Sequence, residues 1–295
     1  MIHTLDLHFQ IPHAVAAFVV ETSAGPVLVE TGPYSTYPHL VQGLKALGYV
    51  PGDIRHVLLS HIHFDHAGAA WALAAAGATI YVHPAGYKHL LDPARLYGSA
   101  QRIYGDMMET LWGAMKPIPA DQLVAPEHGE TFYIGDTTFT AWYTPGHAVH
   151  HIAWQTDDTL FTGDVGGCKI MDGPVVPPCP PPDIDIEAWV SSLHLMRELA
   201  PARLYLTHFG EITTPEPHLT ALETRLLDWA AWMKPWFEAG TPAQEIIPVF
   251  QQYVYAQLQA SGVAADDLAA YEAANPAFMS VAGLLRYWQK KTAAE

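Results

Sequence analysis

The sequence predicts an α/β protein that ends in an all-helical segment, and two observations carry that reading. From Ala14 to about Thr207, short β-rich runs alternate with loops and with apolar patterns of helical period. Beyond Glu211 the strand-like runs stop, and Leu219, Leu222, Leu226, Trp229, Trp232 and Trp236 step by three or four along one stripe of an amphipathic helix.

In chain order, AVAAFVVE and PVLVE flank the turn-forming Thr22 to Gly25 and read as a hairpin. HLVQGLKALGY is a helix stopped by Gly48, and the buried strand Val57 to Ser60 follows. AGAAWALAAAG is a small-residue helix ending at Gly77, with the strand TIYV after it. A helical insertion occupies about 84–118. Within it Tyr97, Tyr104, Met107, Met108, Trp112 and Met115 are spaced as core residues, which outweighs a reading of them as the lining of a pocket. Strands are expected at ETFYI, TTFTAWYT, HIAWQT and TLFTG, then a helix at IEAWVSSLHLMREL and a last strand at RLYLT. Six prolines between Pro174 and Pro182 require an extended loop.

Gly240 stops the first tail helix, and Thr241, Pro242 and Gln244 supply an N-cap, a first-turn proline and a capping-box glutamine for a second. Further helices are expected near 264–274 and 277–290. The expected division is therefore 1–212 as a mixed α/β unit and 213–295 as a helical subdomain packed on it.

Composition removes several functions. Lys and Arg number 14 against 30 Asp and Glu, a net charge of −16 that repels phosphate backbones and anionic membranes. Nucleic acid and membrane partners are accordingly not expected. Half of the 295 residues are hydrophobic and 15% are charged, so a large core is available and disorder is not expected. The longest uncharged apolar stretch, Ala67 to Val82, contains Gly68 and Gly77 and is shorter than the roughly 18 residues of a spanning helix. No secretory leader is visible in MIHTLDLHFQIPHAV, which makes the cytoplasm the expected location. Two cysteines, Cys168 and Cys179, are too few for a disulfide framework, and a buried structural thiol is the expected state of Cys168.

Histidine is the unusual residue, with 17 copies. His61-Ile62-His63-Phe64-Asp65-His66 follows the buried strand directly and places four metal-ligating side chains within six residues. Alternate positions of an extended loop project to one side, and His66 at the turn reaches a second position, so two metal ions are geometrically possible. His147 in TPGHAVHH, Asp164 in LFTGDVGG and His208 in LYLTHFGE each stand where a strand runs into a loop.

This set of motifs resembles the metallo-β-lactamase superfamily over roughly residues 14–212, specifically its dinuclear members such as glyoxalase II and the acyl-homoserine lactonases. The resemblance implies an αβ/βα sandwich of two mixed sheets with outer helices and metals at one edge. It implies that His61, His63 and His147 hold one metal, that Asp65, His66 and His208 hold another, and that Asp164 bridges them. The ions would be divalent, zinc first, with iron or manganese as alternatives. The resemblance thereby makes Asp65 and Asp164 the catalytic carboxylates, ligands of two ions that hold a bridging hydroxide, and that hydroxide attacks an ester, lactone or thioester of a small molecule. Alternatives are a mononuclear iron enzyme of the persulfide dioxygenase type, a phosphotriester or phosphodiester hydrolase, and a metal-bound binding protein without turnover.

Three departures from the superfamily pattern stand out. Glu30-Thr31-Gly32 replaces the usual Asp-Thr-Gly and makes Glu30 an outer-shell candidate. His150 stands where a glycine is usual, so His150 or His151 is a candidate partner of a ligand. Basic residues for glutathione have no clear positions; Lys169 is close in sequence, and the tail offers Arg225, Lys234, Arg286, Lys290 and Lys291. Tyr34, Lys169 and Tyr205 are the substrate-contact candidates. The helical tail could also support a homodimer if its apolar residues are exposed.

Overall fold

The run Ala16–Val20 is buried residue after residue with no polar alternation, the signature of a strand covered on both faces. In the computed structural model, which describes residues 1–294, this run lies inside the first of two six-stranded sheets. The first sheet contains β1 (Ile2–Asp6), β2 (Ala16–Thr22), β3 (Gly25–Val29), β4 (His56–Leu58), β5 (Thr79–Tyr81) and β6 (Leu123–Val124), side by side in that order. Its first three strands are antiparallel, with Phe18 opposite Val29, and the rest join in parallel. The second sheet contains β7 (Glu130–Ile134), β8 (Thr137–Tyr143), β9 (Ile152–Thr156), β10 (Thr159–Phe161), β11 (Arg203–Leu206) and β12 (Gly210–Ile212). Only its β10–β11 pair is parallel.

Parallel neighbours need crossovers, and the helices supply them. Helix α1 (Tyr37–Ala46) links β3 to β4, and α2 (Phe64–Ala67) with α3 (Ala70–Ala75) links β4 to β5. The insertion forms α4 (Pro84–Leu91), α5 (Ala94–Tyr104) and α6 (Met108–Leu111) before β6. Helix α7 (Ile186–Glu198) crosses from β10 to β11. The tail is α8 (Pro215–Glu238), α9 (Ala243–Ala260), α10 (Leu268–Ala274) and α11 (Ala277–Ala294). No helix among the described residues is long and apolar enough to cross a membrane.

Three apolar layers result. Phe18, Val27 and Leu58 meet Phe139, Trp154 and Phe161 between the sheets. Leu28, Leu40, Val57 and Leu73 fill the space under the helices of the first sheet. On the outer face of the second sheet, Leu204 and Leu206 share one buried cluster with Trp189 of α7, Trp229 of α8, Phe250 of α9 and Leu284 of α11. The tail is thus continuous with the core of the second sheet.

The sandwich of two mixed sheets with outer helices and a helical C-terminal region is as expected, but several elements differ in detail. Strands β1, β6 and β12 lie outside the expected set; each is short and sits at or beside a sheet edge, where half-burial weakens the apolar pattern. The helix expected over AGAAWALAAAG breaks into α2 and α3 at Gly68 and Ala69. A Cβ on Gly68 would stand 2.4 Å from the Phe64 carbonyl and 2.9 Å from Pro33 Cα, so the chain packs too closely there for any larger residue. The Thr241 cap does not form either: Pro242 is the cap residue of α9 and makes no side-chain cap bond.

Candidate metal centre

Four chain segments that leave strand ends meet at one edge of the sandwich. The segment after β4 brings Ser60 to His66, the β8–β9 connection brings His147, the turn after β10 brings Asp164, and the end of β11 brings His208. Together they form two groups of ligating atoms, His61, His63, His147 and Asp164 in one, and Asp65, His66 and His208 in the other. His61, His66, His147, Asp164 and His208 are all buried.

In the first group, Nε2 of His61 and Nε2 of His147 lie 2.9 and 3.0 Å from Nδ1 of His63. In the second, Nε2 of His208 lies 3.4 Å from Asp65 Oδ2, and Nε2 of His66 lies 3.7 Å from the same oxygen. Asp164 faces both groups. Its Oδ2 is 3.3 Å from His147 Nε2, while its Oδ1 is 3.2 Å from His66 Nε2 and 3.3 Å from His208 Nε2.

These atoms suit a cation. Nε2 of His66 and Oδ1 of Asp164 are fully buried without a hydrogen-bond partner, a costly arrangement unless an ion accepts their lone pairs. Burial drives His61 well below the ordinary imidazole range and His63 down to about 3, which keeps both rings neutral, each with one nitrogen lone pair free for a metal. Burial also disfavours a charge on His66, but Asp164, Asp65 and Glu30 outweigh it and hold His66 well above its usual range, so without a metal a proton takes the place of the cation beside these carboxylates. Burial opposes ionisation of Asp65, yet His66 and the hydrogen bond from His208 bring it down to about 2. Carboxylates held ionised so strongly by neighbouring positive charge favour a metal cation for the same reason.

Three of the candidate ligand rings are held from behind. His61 Nδ1 is 2.9 Å from Ser60 Oγ, His147 Nδ1 is 2.9 Å from the Pro178 carbonyl, and His208 Nδ1 donates to the Ala14 carbonyl at 2.6 Å. Such contacts fix the tautomer and aim the opposite nitrogen at the metal position. The turn carrying Asp164 is held just as firmly. Trp189 Nε1 of α7 donates to the Val165 carbonyl at 2.9 Å, and His218 Nε2 of α8 lies 2.8 Å from the Gly166 carbonyl. Gly163 in that turn has φ +49°, and a Cβ there would stand 2.5 Å from Ser60 Cβ and 2.6 Å from His151 Nε2.

The substrate-contact candidates do not gather here. Tyr205 is buried between the sheets, with its ring 5.3 Å from those of Phe18 and Phe161, so it is a core residue of the sandwich. Tyr34 packs on Tyr37 and Trp71, with ring centres 5.6 and 4.6 Å away. Lys169 lines a cavity bounded by β12 and α8 that no metal-ligand candidate lines. Cys168 and Cys179 are buried free thiols, with Cys168 in the cluster under the tail, and burial raises the pKa of both. Ser60 and the carbonyls of Ala14 and Pro178 were not anticipated. Ser60 does directly precede the histidine cluster, whereas a backbone acceptor has no side-chain signature.

The family model of the metallo-beta-lactamase superfamily matches residues 11–208. The chain belongs to this superfamily. The metallo-beta-lactamase fold-containing protein ST1585 of Sulfurisphaera tokodaii is 32% identical over 170 residues, which is 56% of this chain and 64% of that protein. Thioesterase pkgB of Emericella nidulans is 29% identical over 62% of this chain and 42% of its own length. Hydroxyacylglutathione hydrolase of Shewanella halifaxensis is 28% identical over 56% of this chain and 50% of its own. The chain therefore spans between 42% and 64% of these relatives' lengths. Among solved structures, ST1585 from Sulfolobus tokodaii superposes with a TM-score of 0.63 at 27% identity, covering 76% of this chain and 85% of that one. A metallo-beta-lactamase family protein from Thermus thermophilus, TTHA1429, covers 99% of this chain and 94% of its own with a TM-score of 0.73, a likeness of fold at 18% identity.

In this superfamily chain the Glu30 carboxylate reaches the site through a bent backbone. Glu30 has φ +64°, is buried, and its Oε1 stands 3.2 Å from His66 Nδ1. The left-handed backbone lets the side chain come in under Ser60, whose amide donates to Oε2 at 3.4 Å. His151 is buried with Nδ1 2.8 Å from Thr144 Oγ1 and its ring 5.1 Å from that of His61. His150 lies between the His63 ring, 5.8 Å away, and Asp183 Oδ2, 4.0 Å away.

Proposed function

We propose that the chain is a dinuclear metal-dependent hydrolase acting on an ester, lactone or thioester of a small, largely apolar molecule. The observation that carries this reading is the division of Asp164 between two ligand groups, one oxygen toward His147 and the other toward His66 and His208. His61, His63 and His147 would hold one ion, and Asp65, His66 and His208 the other, with Asp164 shared. Divalent ions bound there supply Lewis acidity and a water of lowered pKa, the chemistry of a metallohydrolase. Zinc suits a set of imidazoles and carboxylates, and iron or manganese would also fit.

The chain's own residues do the rest. Glu30, Ser60 and the carbonyls of Ala14 and Pro178 orient the ligand rings. An aromatic group beside Asp65 supplies an apolar wall: Phe64 packs on Tyr97 and Trp112, and Trp112 on Phe9 and Tyr104, with ring centres 5.2 to 6.1 Å apart. Tyr104 from the insertion reaches Met279 of α11 at 3.9 Å, so the insertion and the tail meet beside that wall. Relatives named as a thioesterase and a hydroxyacylglutathione hydrolase support the thioester end of the substrate range.

Elemental analysis of purified wild type and Asp164→Ala, followed by a lactone and thioester panel, tests the proposal. About two divalent ions per chain, falling together with turnover in the variant, is the expected result. A single iron with oxygen uptake on a persulfide, or full hydrolysis by Asp164→Ala, would overturn it.

A further inference from the structure

Between β12, the segment after Lys169 and the first turns of α8 lies a cavity of about 330 Å³. Lys169, Arg225, His218, Glu211, Thr213 and Thr214 are on its lining. Lys and Arg number only 14 in this chain against 30 acids, and two of them, both half-buried, share this one cavity. The Lys and Arg ion pairs among the described residues are made by Arg197, Arg203, Lys234 and Lys291. Lys169 and Arg225 are in none of them. Arg225 commits one N–H to the Val175 carbonyl at 2.8 Å. Glu211, the carboxylate on the lining, is paired instead with Arg203 at 3.7 Å.

A half-buried guanidinium and ammonium without a carboxylate partner carry a desolvation cost that an anion would offset. We propose that this cavity binds a small oxyanion, the phosphate or carboxylate group of a metabolite, at a site separate from the metal centre. His218 on its wall holds the carbonyl of Gly166, which connects the cavity to the turn that carries Asp164.

Calorimetry on the metal-loaded protein tests this with inorganic phosphate and, separately, succinate, with chloride matching the ionic strength. The expected result is saturable binding of at least one of them, and the preferred anion identifies the natural group as phosphate or carboxylate. Lys169→Gln should weaken that binding at least about tenfold, the effect of losing one charge-assisted contact, with hydrolysis by the metal centre unchanged. Arg225→Gln should weaken it similarly, and Lys169→Gln keeps the test decisive if that half-buried change impairs folding. Absence of saturable binding for both anions overturns the proposal. So does binding that Lys169→Gln leaves intact, the behaviour of an anion seated on the metal ions.

Discussion

The carbonyl oxygen of Pro178 lies 2.9 Å from Nδ1 of His147, so the proline-rich segment supplies the acceptor that orients a metal-ligand candidate. Neighbouring prolines limit φ and hold that carbonyl in place without secondary structure. Replacing Pro177 and Pro178 together with glycine should lower affinity for metal about tenfold while leaving the far-ultraviolet spectrum unchanged. Competition with a chromogenic chelator measures this, and an unchanged affinity would show that the segment is only a connector.

Glu30→Gln keeps the size of the side chain and removes the charge facing His66. Outer contacts of this kind change metal affinity by about 10- to 100-fold, so a loss within that range is expected, and with two ions bound as proposed it falls on one of the two binding steps. Titration of the metal-free protein resolves the steps; equal weakening of both would argue against a specific link from Glu30 to His66.

Gly163→Ala combines a left-handed backbone with contacts of 2.5 and 2.6 Å to Ser60 and His151. The substitution should cost at least about 2 kcal/mol in unfolding free energy, from strain and overpacking together. Denaturant titration checks it, and a loss below about 0.5 kcal/mol would mean that the turn relaxes freely.

His218 gives a pH dependence with a definite sign. Burial lowers its pKa to about 4 despite the bond to the Gly166 carbonyl, against about 6.5 in an unfolded chain. The unfolded state therefore takes up the proton first as pH falls. The stabilisation is fully present above about pH 6.5 and is lost progressively down to about pH 4, amounting to about 3 kcal/mol. His218→Gln keeps an N–H for Gly166 and does not titrate, so its stability should decline less across that interval. Identical slopes for the two proteins would rule out this contribution.

Much of the site was legible because strand ends announce themselves. His61 to His66 directly follow the apolar run VLLS, and Asp164 and His208 follow TLFT and LYLT, so each stands where a buried strand meets a loop. What stayed hidden depends on partners distant in the chain. Tyr205 resembles a rim residue by position but points between the sheets, because only one face of a strand-end residue reaches the edge. Lys169 lies five residues beyond Asp164 in sequence, yet the chain turns back through the Cys168–Val176 bridge and sends it toward α8. Ala14 and Pro178 act through backbone oxygens, which any residue would present.

Trp189 and His218 reach from two outer helices to hold the carbonyls of the turn bearing Asp164. Both helices belong to the apolar cluster of the tail, so the Asp164 carboxylate is anchored to the molecule's back wall. Heat or denaturant that loosens this wall should release metal in the same transition that melts the tail, making metal retention a gauge of how well the C-terminal helices are seated.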